Sequence, residues 1–212
     1  MTDLLVLHDV GASGGGEWAD GFTEWPGAVF APDLPGHHGT PPPVGGNYDT
    51  GDAVVVALDV LRDVAHGDLL VVGIGHSGAA AQVLALGGRA AGLVLVDGLG
   101  GPWLEPGDVD AQRRALRRRV LSTPTALAMP DADTDDPRAS MVVGVVDRAF
   151  AVQQAVAMPV PVLVVETPSS PTPDAPDMVA CFGDATLQQL VARQPSHVAQ
   201  LVASWWSSRK PA

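Results

Sequence analysis

A serine becomes a nucleophile only when a base takes its proton, and one serine in this chain stands where that chemistry is possible. Ser77 is the centre of Gly75-His76-Ser77-Gly78-Ala79. Before it, Leu69 to Val72 is apolar at every position, which marks a buried parallel strand rather than a half-exposed one. After it, Gly78 to Leu86 is a small and apolar run that stops at Gly87-Gly88, which reads as a helix. A strand that becomes a helix within two or three residues needs small neighbours on both sides. Such a turn puts Ser77 at its apex, with the hydroxyl exposed and the backbone strained. The plainer alternative is that Ser77 caps the helix that follows.

This setting resembles the nucleophile elbow of the alpha/beta-hydrolase family, G-x-S-x-G, with Ala79 in place of the last glycine. Two further segments are similar to that family. Leu4 to Leu7 is a short apolar strand that ends in His8-Asp9-Val10, where the family has His-Gly and then a residue whose N–H faces the reacting oxygen. Ala31-Pro32-Asp33-Leu34-Pro35-Gly36-His37-His38-Gly39 resembles the family's a-P-D-L-P-G-H-G loop, which shapes the turn beside the first strand. The resemblance runs from Leu4 to Trp206 and lacks two strands that the family carries before Leu4.

The resemblance implies a catalytic set. In chain order the family's triad runs serine, acid, histidine. His197, after the final strand and before the last helix, matches the base; every other histidine precedes Ser77. The acid position beyond the strand at Pro161 to Val165 is occupied by Ser170, so the acid must come from elsewhere. Asp97 ends the strand before a long insertion, Glu166 lies at the end of the later strand, and Asp174 follows in a Pro-rich loop. A strand end is the more rigid mount, which favours Asp97 and leaves Asp174 and Glu166 as alternatives. The backbone N–H groups of Val10 and Gly78 would form the oxyanion hole. The reaction so implied is hydrolysis of an ester, thioester or lactone of a small to medium apolar substrate through an acyl-enzyme on Ser77. The alternative is a relative that does not hydrolyse. It would bind a small molecule, or catalyse a condensation, isomerisation or lyase step.

The elements that must position these groups can be read off the pattern. Apolar runs at Leu4–Leu7, Ala28–Phe30, Leu69–Val72, Ala91–Val96, Val160–Val165 and Ala185–Val191 read as strands, the last at a sheet edge because of Gln188 and Gln189. Helical spacing at Thr50 to Ala65, Gly78 to Leu86 and Val198 to Ser208 alternates with them. The expected fold class is therefore α/β, a mostly parallel sheet of about six strands with helices on both faces. Residues 1–99 and 159–212 would form the core. Residues 100–158 would form a helical cap insertion, with Asp108 to Leu121 and Ala139 to Ala157 helical and Trp103 at its entrance. Arg113, Arg114, Arg117, Arg118 and Arg119 form a basic stripe there, either a solvated face or an attraction for an anionic substrate.

Composition narrows the classes. The chain has 212 residues, net charge −12 and 46% hydrophobic residues, which argues for a folded domain and against a nucleic-acid or anionic-membrane partner. No signal-peptide pattern and no run long enough for a bilayer is present, so a cytoplasmic location is expected. The one cysteine, Cys181, reads as a small buried hydrophobe. The adjacent His37 and His38 lack metal-ligand spacing. No cofactor is implied, the partner is a small-molecule substrate, and oligomeric state is not legible.

Overall fold

Uninterrupted apolar runs become the centre of the sheet. In the computed structural model, six strands pair in parallel in the order β2-β1-β3-β4-β5-β6. They are β1 (Asp3–Leu7), β2 (Val29–Phe30), β3 (Leu69–Ile74), β4 (Gly92–Val96), β5 (Val162–Glu166) and β6 (Ala185–Gln189). The structure describes residues 1–9, 14–35, 37–38, 40–41, 50–62, 68–98, 157–168 and 175–209. The cap expected at 100–158, with Trp103 and the arginine stripe, lies outside the described residues except for its last two positions.

Every side chain of β3, β4 and β5 is buried, because helices cover both faces of the sheet. Alternate residues go to opposite layers, as the pleat requires. Leu5, Leu7, Val71, Leu93, Leu95 and Val164 face one layer. That layer is formed by α2 (Thr50–Val60), α3 (Gly78–Leu86) and α4 (Ala175–Cys181), through Ala57, Ala81, Leu84 and Val179. Leu4, Val6, Val72, Val94 and Val165 face the other. There α1 (Gly16–Gly21) and α5 (Pro195–Ser207) contribute Trp18, Val198, Val202, Trp205 and Trp206. Burying a side chain of this size is worth roughly 1.5–3 kcal/mol each.

Helix α5 is pinned at its far end. Trp206 Nε1 donates to Thr2 Oγ1 at 3.2 Å. Trp25 Nε1 donates to the Thr2 carbonyl at 2.8 Å, so the buried Thr2 joins both tryptophans to the start of β1. The helix starts at Pro195, three residues before the apolar stripe begins. Proline suits a first helical position, where its missing N–H has no partner to lose.

Some expectations need correcting. β3 runs to Ile74, beyond the apolar run, because Gly73 lets α3 approach: a Cβ there would lie 2.7 Å from the Gly78 Cα. Helix α2 ends at Val60 within the described residues, with 63–67 outside them. The Pro-rich loop expected up to Pro176 gives way to α4 at Ala175. Cys181 is exposed at the end of α4 and is not a core residue, because its neighbours Val179 and Phe182 fill the core instead. Among the described residues no helix is long and apolar enough to cross a membrane.

Candidate active site

The C-terminal ends of β1, β3, β4 and β5 bring the chemistry-bearing residues together. β3 passes through a single 3₁₀ turn, Gly75–Ser77, straight into α3. The left-handed residue of that turn is Gly75, at φ +55°. Glycine is required there twice over, since a Cβ would also lie 2.2 Å from the Asp9 carboxylate. Ser77 itself has ordinary right-handed angles, φ −71° and ψ −7°, so the strain expected at the serine is carried by Gly75. Gly78 opens α3 against β4: a Cβ on it would stand 2.6 Å from the Gly98 carbonyl oxygen.

The Ser77 hydroxyl is buried rather than exposed, at 4% accessibility. It makes no cap bond to α3. Its Oγ donates instead to the main-chain carbonyl of His8 at 2.5 Å, tying the turn to the end of β1. The capping alternative therefore fails, and so does the exposed apex. The serine's proton is committed to a backbone acceptor.

Asp97 closes β4 in a left-handed conformation, φ 49°, with its side chain 1% exposed. Thr167, just past β5, holds both carboxylate oxygens: its N–H donates to Oδ1 at 2.7 Å and its Oγ1 to Oδ2 at 2.9 Å. Burial pushes the Asp97 carboxyl above the usual carboxylate range; the Thr167 hydrogen bonds and the Arg193 charge oppose that rise, while the charge of Asp9 adds to it. Among the described residues, the cation beside Asp97 is Arg193. Its Nε is 4.0 Å from Asp97 Oδ2, and its Nη1 donates to Asp9 Oδ2 at 3.0 Å.

His197 is not brought into this group. It is exposed in the first turn of α5, on the strip with Gln200 and Ser204 that faces solvent, while Val198, Val202, Trp205 and Trp206 face the sheet. Among the described residues no hydrogen bond or ion pair joins it to Ser77 or Asp97. Glu166 is buried at the end of β5 and accepts from Gln189 Nε2 at 3.0 Å. Val10, expected as an oxyanion donor, and Asp174, an alternative acid, lie outside the described residues. Gly78, the other residue expected to donate, begins α3 next to Ser77.

The nearer histidines serve the scaffold. His8 is fully buried. Its Nδ1 is 2.9 Å from the Asp9 carbonyl, and its Nε2 accepts from the Leu34 N–H at 2.9 Å. His37 packs edge-on against it with centroids 4.7 Å apart, its Nδ1 2.9 Å from the Pro35 carbonyl. Burial keeps both uncharged; for His37 it lowers the pKa to about 4. Asp33 Oδ1 accepts from the Gly15 N–H at 2.7 Å, tying this segment to the start of α1.

The residues that sequence reasoning missed are Arg193, Thr167 and the carboxylate of Asp9. Asp9 had drawn notice only as a replaced glycine. A signal existed: the segment between β6 and α5 is short, and Arg193 is its one cation.

The sequence matches the model of the alpha/beta hydrolase family over residues 4–208. Solved structures of similar fold include a thermophilic esterase from Thermogutta terrifontis with malate bound, 16% identical with TM-score 0.69 over 98% of this chain and 90% of that one. NosK from Streptomyces actuosus is 21% identical, with TM-score 0.71 over 97% of each chain. MenH from S. aureus is 14% identical, with TM-score 0.67 over 98% of this chain and 94% of that one. At these identities the likeness is one of fold. No curated protein matches this sequence significantly.

Proposed function

This chain belongs to the alpha/beta hydrolase family, and from that premise we propose that it binds a small carbonyl compound at Ser77 without a serine–histidine relay. Any reaction there is of the non-hydrolytic kind, a condensation, isomerisation or lyase step. The observation that carries the reading is the pairing around Asp97. The cation beside that carboxylate is a guanidinium, not an imidazole. An acyl-enzyme needs a group that takes the Ser77 proton and later returns it to a leaving group. Arginine stays protonated and has no acceptor, so Arg193 cannot do this. The Ser77 hydroxyl donates to the His8 carbonyl, so its one proton is engaged and a ligand's carbonyl oxygen depends on other donors. The test is hydrolysis of p-nitrophenyl acetate and butyrate. Wild type and Ser77→Ala should match, both near the uncatalysed rate; turnover lost with Ser77 would overturn the reading.

A second reading is favoured by one observation: the hydroxyl sits at the β3–α3 turn and is not used to cap α3. In this reading Ser77 attacks an ester, thioester or lactone carbonyl, His197 is the base and Asp97, or else Glu166 or Asp174, is the acid. Gly78 and Val10 hold the oxyanion, and a cap over residues 100–158 excludes water. It requires the first turn of α5 to carry the imidazole from the solvent face to Ser77.

A further inference from the structure

We propose that β6 pairs antiparallel with the β6 of a second copy of this chain, about a two-fold axis through Gln188, so that the sheet runs on from one copy into the other. The proposal stands apart from the chemistry at Ser77. The sheet has two edges, and they are built differently. β2 is two residues long and lies between Pro26 and Pro32, too short to template another strand. β6 is five residues long, and the run from Ala185 to Ala192 holds no charged residue and no proline. An edge of that kind lacks the devices that keep strands of different molecules apart. Val191, near the end of the run, is 93% exposed.

The pairing with β5 decides which backbone groups are left over. The Asp184 carbonyl accepts from the Val162 N–H at 2.8 Å, and the Leu190 N–H donates to the Glu166 carbonyl at 2.9 Å. Alternate residues between them turn the same way, so Thr186 and Gln188 are committed to β5. The N–H and C=O groups of Leu187 and Gln189 point away from it, and among the described residues no strand pairs with them. In a two-fold pair centred on Gln188, Leu187 of one copy stands opposite Gln189 of the other. Such a pair exchanges N–H···O bonds in both directions, and the axis repeats it.

Side chains and charge select a copy as the occupant. Gln188 faces Gln188 across the axis at a non-hydrogen-bonded position, where opposed side chains come closest. A primary amide carries donor and acceptor together, so it matches itself. Gln188 also borders a groove of about 600 Å³ between β6 and α5, with Thr186, Leu201, Ser204 and Trp205, which leaves room for the facing glutamine. The net charge of −12 sets copies against each other over the rest of the surface. At this edge the flanking charges are balanced within each copy, Asp184 by Arg209 at 2.6 Å and Arg193 by Asp9 at 3.0 Å. Antiparallel pairing also sets the acidic start of each strand, at Asp184, beside the basic end of the other, at Arg193. A two-fold pair closes on itself, so association stops at the dimer.

Sedimentation velocity of the full chain, at high micromolar concentration and physiological salt, tests the proposal. Wild type should sediment as a dimer. Gln188 is exposed in the single copy, so its replacement leaves the fold intact. Gln188→Lys and Gln188→Glu each set like charges face to face, and each should weaken the dimer at least about tenfold. Mixed in equal amounts, the two variants should re-form it, a rescue that a misfolded variant would not give. Amide hydrogen exchange reads the position. Leu187 and Gln189 should be protected in the dimer and exchange faster on dilution, while Thr186 and Gln188 stay protected throughout. A monomeric wild type, a dimer indifferent to both charged variants, or Leu187 and Gln189 amides that ignore concentration would overturn the proposal.

Discussion

Nη1 of Arg193 lies 3.0 Å from Oδ2 of Asp9, across 184 residues of chain, and ties the segment before α5 to the end of β1. The pair is a crossing brace over the tip of β3. Removing one partner strands the other in a half-buried place, which costs more than the bond itself contributes. Arg193→Gln and Asp9→Asn are each expected to lower unfolding free energy by about 1–3 kcal/mol. The double variant should cost less than the sum of the two. Urea denaturation checks this; additive losses would show that the brace does not couple the two segments.

The glycines around Ser77 set how closely α3 and β4 approach. Gly78→Ala would press a Cβ to 2.6 Å from the Gly98 carbonyl, and backbone cannot give way cheaply. Overpacking of this kind is expected to cost about 1–3 kcal/mol. Gly16→Ala is the control, since nothing lies within 4 Å of a Cβ there and α1 would gain helix propensity. A thermal melt in which both variants behave alike would contradict the close-packing account.

Acid should unfold the protein through His37. Its pKa is lowered from 6.5 to about 4 by burial first, with the neighbouring His8 adding to the effect. Between those values the unfolded chain binds the proton and the folded chain does not. Stability is therefore full above about pH 6.5 and falls as pH drops toward 4. At pH 5 the loss is about 2 kcal/mol. His8, also lowered, acts in the same direction. Asp97, whose folded pKa is raised, acts oppositely: its contribution is lost as pH rises through the carboxylate range and is flat at neutral pH. Denaturation midpoints at pH 7.5 and 5.0 test this, with His37→Gln expected to flatten the difference.

The architecture was legible because it rests on apolar periodicity. Continuous apolar runs beginning at Leu69, Ala91 and Val160 read as central parallel strands, and the sheet-edge reading of β6 followed from Gln188 and Gln189. The Ser77 turn was legible for the same reason, since only small residues permit it. What was not legible was which cation lies beside Asp97. His197 has the expected order in the chain and stands exposed in the first turn of α5, one residue before Val198, where the stripe that packs on the sheet begins. Arg193 precedes the helix, so no periodicity governs it, and its direction is set by two carboxylates distant in sequence. Asp97 was placed correctly at a strand end, yet its Thr167 partner is a contact across neighbouring strand ends that no local pattern announces.

His197→Ala discriminates the two readings of the site. An exposed residue with no hydrogen-bond partner among the described residues should change stability by less than about 0.5 kcal/mol. If His197 were the general base, any Ser77-dependent turnover would fall by about 100-fold or more in the same variant. Steady-state assays alongside the melt read both.

The most direct measurement is intact-mass analysis of the wild-type protein after exposure to a fluorophosphonate, which phosphonylates a serine only when a base activates it. The account predicts no mass gain on wild type or on Ser77→Ala. A single-adduct gain on wild type that vanishes with Ser77→Ala would contradict it, and would establish an activated serine at the β3–α3 turn.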